Sequence, residues 1–470
     1  MSFVSLWFLL FLALVVAVNF ILPHRFRYIW LLAASYFFYG FGSYWLLSLI
    51  IGVTVACYLC ALAIDKYRKR GKWFLALAIA VSLGLLFVFK YLDFAIGTVV
   101  SFANLFGAGW KFDGLSIILP VGISFYTFQS LSYVIDVYRG RTEAERHIGY
   151  FALFVSFFPQ LVAGPIERFD RLMPQLKSER AFSMENLFAG GRYMVSGFLK
   201  KVVIADFLAT IINPIYGDIA GQDGSAILVA TILFAFQIYG DFSGYSDIAK
   251  GSAKILGIDL MENFDSPYAS TSPRDFWRRW HISLSKWFSD YCYIPLGGNR
   301  KGKARQCLNL FIVFLISGLW HGADLKFIAW GALHGLYLVC ETLLRRPQRE
   351  SGLALTALKV VGTFILVDFA WIFFRADSLG DAGLAIAKIF TSWGDFSWIK
   401  ASFTALTAIR LALSLMAMAL VKRLPAISLA EGAGNKSAIF ITSFALIAII
   451  AGWALLYQSG GGSQFIYFQF

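Results

Sequence analysis

Apolar stretches of about twenty residues recur along this chain, and each is long enough to cross a bilayer as a helix. Stretches of about that length or longer are residues 3–22, 28–64, 73–109, 117–137, 193–212, 355–374, 403–421 and 438–456; 226–239 is a shorter hydrophobic segment, and further spans are expected to begin at Leu310 and Ala329. That pattern excludes most soluble folds. In hydrocarbon every backbone polar group must be satisfied internally, so a chain of this texture is a bundle of transmembrane helices. The sequence predicts about ten to twelve spans at that length. Only 15% of the 470 residues are charged, where a soluble domain carries roughly 25%. No polar stretch is long enough for a separate aqueous domain, so the chain is expected to be one integral-membrane unit over 1–470.

Local signals set the breaks. Gly40-Phe41-Gly42-Ser43 divides residues 28–64 into two spans, and Lys90-Tyr91-Leu92-Asp93 is expected to divide 73–109. Residues 151–162 are too short to cross and end at Ala163-Gly164-Pro165, as a re-entrant or buried segment would. Residues 3–22 lack a basic n-region and an evident cleavage site, so they are expected to be a retained first span. Ser272 as N-cap, Pro273 at the first position and Asp275 in the first turn predict one helix over 273–290. Phe276, Trp277, Trp280, Leu284, Trp287 and Phe288 form its apolar side, as in a helix lying among lipid headgroups.

The net charge of +13 gathers in short loops such as Asp65-Lys66-Tyr67-Arg68-Lys69-Arg70-Gly71-Lys72. That follows the positive-inside rule and attraction to anionic lipid, and it argues against nucleic acid as a partner. If the first two basic loops are cytoplasmic, the N-terminus starts outside. Cys57 and Cys60 form a C-x-x-C inside an apolar run with no second pair, so they are expected to pack between helices; no metal site is expected.

Two histidines stand out. His281 lies in a polar, aromatic and basic stretch. His321 follows the apolar run 310–316. A histidine at membrane depth is costly unless it faces a polar cavity, and imidazole is suited to moving a proton near neutral pH. Such a group can deprotonate a hydroxyl as it attacks an activated acyl carbon. The plain alternatives are a helix-bonding histidine at 321 and a headgroup-region histidine at 281.

The motifs around them are similar to those of a known family. They are Tyr239-Gly240-Asp241-Phe242-Ser243-Gly244-Tyr245-Ser246-Asp247, Asn263-Phe264-Asp265-Ser266-Pro267-Tyr268 and Asp275-Phe276-Trp277-Arg278-Arg279-Trp280-His281. Tyr293-Ile294-Pro295-Leu296-Gly297-Gly298-Asn299-Arg300, Trp320-His321-Gly322 and Trp330-Gly331-Ala332-Leu333-His334-Gly335 complete the core. Gly122 to Gln129, Gln160 to Glu167 and the C-terminal Phe465 to Phe470 share the likeness. Together they resemble the membrane-bound O-acyltransferase (MBOAT) family, in its bacterial alginate O-acetyltransferase branch.

The resemblance implies an all-α ring of helices with re-entrant segments around a central tunnel, in a bacterial inner membrane. It implies an acetyltransferase with His321 as catalytic histidine and His281 on the path to it. The donor would be acetyl-CoA, a substrate rather than a bound cofactor. The acceptor would be a polysaccharide outside the cytoplasm, with an SGNH (acetylesterase-like) transferase as partner beside the membrane lipid. Arg278, Arg279, Arg300, Lys301 and Lys303 are candidates for the donor phosphates; headgroup contact is the alternative for each. Asp241, Ser243, Asp247 and Trp320 are candidates to line the tunnel or orient a histidine, with Asp265 and Tyr239 on the same footing, while His334 is expected to pack. Tyr467 resembles the tyrosine of a C-terminal motif in a partner of teichoic-acid D-alanylation, and is either an acyl relay or an interfacial anchor. Acyl transfer to peptidoglycan, cellulose or teichoic acid, and transport with the histidines as a proton relay, stay open beside alginate.

Overall fold

A computed structural model of the chain describes residues 1–115, 117–162, 164–344, 352–394 and 465–466. The expected spans at 403–421 and 438–456 and Tyr467 lie outside the described residues, as does the Gly-rich stretch Gly460-Gly461-Gly462-Ser463 that precedes the C-terminal motif. Those described are helices joined by short connections, with no strand among them. Among the described residues, five helices are long and apolar enough to cross a membrane: Leu46–Lys66, Arg68–Leu105, Gly224–Ile255, Leu325–Leu344 and Leu353–Arg375. The protein is a multi-pass, all-α membrane protein.

The chain falls into two compact units. One comprises Met1–Leu187 with Ser252–Met261, the other Phe188–Gly251 with Glu262–Phe470. In the first, the break at Gly40 is where it was expected, between helices His24–Gly40 and Leu46–Lys66. The expected break near Lys90 is absent. Residues Phe87–Tyr91 form a π-helical turn, and the helix runs through it unbroken from Arg68 to Leu105. A wider turn absorbs the irregularity without releasing backbone groups into an apolar medium. Residues 151–162 form the short helices Ile148–Ser156 and Phe158–Leu161, buried in this unit. Cys57 and Cys60 are buried on helix Leu46–Lys66. Glu167, fully buried, accepts a hydrogen bond from the Met261 N–H.

The second unit holds both histidines. The helix Gly224–Ile255 continues sixteen residues past Tyr239, carrying the whole motif from Gly240 to Ala249. Polarity there does not end the helix because the charges are paired inside the protein. The helix Gly302–His321 packs against Leu325–Leu344 at backbone distance. A Cβ on Gly318 would lie 2.2 Å from the Phe327 carbonyl oxygen, and one on Gly331 2.3 Å from that of Phe314. Small residues at crossings are how membrane helices approach most closely.

The expected helix over 273–290 is two helices, Pro273–Arg279 and Ile282–Phe288. Ser272 caps the first as predicted, its oxygen accepting from the Asp275 N–H at 3.2 Å. Its aromatic side does not face lipid. Phe276, Trp277, Trp280, Leu284, Trp287 and Phe288 are all buried in the protein, because neighbouring helices offer them apolar surface.

Two outcomes follow. Gly318→Ala and Gly331→Ala each force a backbone displacement and are expected to cost about 1–3 kcal/mol, read as a lower thermal midpoint in detergent. Gly52→Ala, with open space around its Cβ, serves as the unaffected control. Burial raises the Glu167 carboxyl from 4.5 to about 7, so the folded state keeps a proton that the unfolded chain has lost. Stability from this group is present below pH 4.5 and lost as pH rises to about 7. The midpoint of Glu167→Gln is therefore expected to rise relative to the parent across that window and then level off.

Candidate active site

His321 is the last residue of helix Gly302–His321, and Gly322 follows in extended conformation. A Cβ at Gly322 would meet the Phe327 ring at 2.1 Å, so any side chain here would have to displace that ring. The imidazole is 3% exposed. It sits edge-on among three rings: Trp330 at 4.8 Å, Trp320 at 4.9 Å and Phe374 at 5.4 Å between centroids. Trp330 comes from the helix that crosses at Gly318, so the close glycine contact delivers this ring to the histidine.

His281 occupies the break between the two short helices, with φ 42° and ψ 56°. A non-glycine residue in the left-handed region costs of order 1–3 kcal/mol and persists only where its surroundings dictate it. Here the segment from Asn263 to Asp265 takes the backbone groups freed by the break. The Asp265 N–H donates to the Arg279 carbonyl at 2.9 Å, and the Ile282 N–H donates to the Asn263 carbonyl at 3.0 Å. The Asn263 side chain accepts from the Ser283 hydroxyl at 2.6 Å. These bonds hold His281 fully buried, its ring edge-on to Phe242 at 4.7 Å and to Trp320 at 5.9 Å. Trp320 thus touches both imidazoles.

His334, also fully buried, accepts a hydrogen bond at Nδ1 from Trp277 Nε1 at 3.2 Å. Indole only donates, so this bond places the His334 proton on Nε2 in the neutral ring. His334 also meets Trp330 edge-on, 4.8 Å between centroids. The three histidines are thereby joined by shared tryptophans.

Among the acidic candidates, Asp241 is buried against Lys201 at 2.7 Å, and the same ammonium meets Asp206 at 2.7 Å. Asp247 pairs with Lys200 at 2.6 Å and accepts from the Ser196 hydroxyl at 2.9 Å. Ser243 is buried on the same helix; Tyr239 packs against Phe264, Tyr268 and Trp280; Asp265 is exposed. The sequence reading passed over Lys201. The signal available was an adjacent lysine pair, Lys200-Lys201, inside an apolar run.

A cavity of about 460 Å³ opens between the broken helix and the His321 helix. Arg274, Arg278 and Lys286 contribute to one side of it, and Leu310, Val313 and Phe314 give it an apolar wall. Ser317 lines it one helical turn before His321. Trp277, the donor to His334, lines it too. Of the basic candidates, Arg278 is exposed and borders this cavity, whereas Arg279 is paired with Asp275 at 3.0 Å. Arg300, Lys301 and Lys303 are exposed around the start of the His321 helix and are not among the cavity's walls. Ser317 and Lys286 gain meaning only from this juxtaposition; nothing in their sequence context marks them. The arrangement gives a cavity with basic residues on one side, an apolar wall, and Ser317 one turn before the buried His321.

A model of the membrane-bound O-acyltransferase family matches residues 31–376, which include the three buried histidines His281, His321 and His334. The probable alginate O-acetylase AlgI of Pseudomonas putida is 40% identical over 415 residues, covering 87% of this chain and 84% of that protein. The peptidoglycan O-acetyltransferase of Helicobacter pylori is 36% identical over 385 residues, covering 75% and 72%. The teichoic acid D-alanyltransferase of Streptococcus thermophilus is 32% identical over 247 residues, covering 50% and 59%. A helical membrane protein with buried histidines beside a cavity, matched by one family model over most of its length, belongs to the membrane-bound O-acyltransferase family and is an O-acyltransferase.

Proposed function

We propose that this chain moves an acetyl group from a cytoplasmic thioester, acetyl-CoA, toward hydroxyls of an extracytoplasmic polysaccharide, from a place in the bacterial inner membrane. The observation that carries the reading is the cavity running from Arg278 and Lys286 to Ser317, one turn from His321. Guanidinium and ammonium groups hold phosphates through charge-assisted hydrogen bonds, and the apolar wall suits the thioester arm. Alginate is the acceptor favoured by the 40% identity to the Pseudomonas putida protein across most of both chains.

In the reaction, a ring nitrogen of His321 takes the proton from the attacking hydroxyl. The hydroxyl oxygen bonds to the acetyl carbon, and the tetrahedral intermediate collapses as the carbon–sulfur bond breaks. The departing thiolate receives the proton from the imidazolium, which restores the neutral ring. Trp320 and Trp330 wall this volume against water, which would otherwise hydrolyse the thioester. His281, sharing Trp320, lies on the acceptor path. Tyr467 is the proposed relay: its hydroxyl takes the acetyl group and an SGNH-type partner passes it to the sugar.

The test is consumption of labelled acetyl-CoA by purified protein supplied with an SGNH-type partner and with alginate or peptidoglycan. His321→Ala is expected to lower turnover by about 10²–10⁴ with the thermal midpoint retained; equal turnover would remove His321 from the chemistry. Arg278→Ala and Lys286→Ala are each expected to raise the donor KM about tenfold, the loss of one charged contact, with kcat little changed. If both change kcat and leave KM alone, the cavity is not the donor site.

A further inference from the structure

Phe465 and Ile466 are seated inside the second unit, 1% and 5% exposed. They lie beyond residues 31–376, where the family model ends. Their seat is built on Asp241. One oxygen of that carboxylate meets the Lys201 ammonium, which is itself shared with Asp206. The other accepts a hydrogen bond from the Ile466 N–H at 2.7 Å. The Ile466 side chain enters the same apolar core as Trp280, Trp330 and Trp371. The Phe465 ring lies on Tyr245 at 4.3 Å and against Phe242 at 5.9 Å. The Lys201 ammonium lies over the Tyr245 ring, 5.8 Å from its centroid. Phe242 is also the ring that His281 meets edge-on.

These contacts form one connected set. A buried lysine fixes a buried carboxylate. The carboxylate fixes the backbone of the tail, and the tail backs the ring against which His281 packs. Backbone N–H to carboxylate is among the stronger hydrogen bonds in a dry interior. Two apolar side chains on the flanking residues complete a seat that reads an aromatic residue followed by an aliphatic one.

We propose that Asp241 is a positioning residue that acts through the C-terminal tail. With Lys201 and Tyr245 it forms a receptor for residues 465–466 of this same chain, and occupancy of that receptor sets the wall behind His281. The receptor stands on these contacts alone. Its consequence for catalysis rests on the reading of the His281 and His321 neighbourhood as the reaction centre.

The test is binding of a fluorescein-labelled peptide with the sequence of residues 464–470, read by anisotropy in detergent. Protein ending at Ser463 is expected to bind it saturably, and the full chain, whose own tail fills the seat, is not. A peptide carrying Ile466→Pro lacks the donated N–H and is expected to bind at least tenfold more weakly. The shortened protein with His321→Ala is expected to bind as well as its parent, so failure of the catalytic reading leaves this result unaffected. Absence of peptide binding to well-behaved shortened protein, or equal binding of the proline peptide, overturns the proposal. Should the shortened protein aggregate, the full chain with Ile466→Pro decides. It is expected to admit the unmodified peptide and to lose kcat with donor KM retained; wild-type behaviour in both overturns the proposal.

Discussion

The backbone contact between Gly318 and Gly331 is the constraint from which the site follows. Helices without side chains at the crossing approach until carbonyl oxygens fill the space a Cβ would need. That proximity sets the end of the His321 helix beside the start of the next. It lays Trp330 against both His321 and His334. Hydrophobic association contributes little between helices already in lipid, so close packing and polar contacts carry the assembly. A single methyl group at the crossing would separate rings that the site needs in contact.

The second constraint is the accommodation of polarity at depth. His281 takes a strained conformation, and the backbone of Asn263 and Asp265 accepts and supplies the bonds that the broken helix loses. Lys201 is buried only because two carboxylates surround it. Removing one partner of such a buried charge costs far more than the pair contributes. These groups therefore act together: one set holds the backbone at the break around His281, and the other anchors the helix that carries Phe242.

Aromatic side chains connect these devices. Trp320 touches His281 and His321, Trp330 touches His321 and His334, and Trp277 both holds His334 by a hydrogen bond and lines the neighbouring cavity. Rigid rings with few torsions hold imidazoles in place at small entropic cost. The same use of rings extends to Phe242, which meets both His281 and Phe465.

Hydropathy alone determined that the chain is helical and crosses a membrane several times, because lipid leaves the backbone few alternatives. The break at Gly40, the Ser272 cap and the prominence of His281 and His321 were equally legible, since each depends on local chemistry. The π-helical turn at Phe87–Tyr91 was not, because a polar cluster in an apolar run reads as a break whether or not the helix bends through it. Nor was the break at His281: the local pattern favours one amphipathic helix, and only hydrogen bonds from Asn263 and Asp265, distant in sequence, interrupt it. The pairing of Asp241 with Lys201, the cavity beside Ser317 and the seat of Ile466 were likewise decided by tertiary structure. Each joins residues from different helices, and one-dimensional spacing carries no record of which helix faces which.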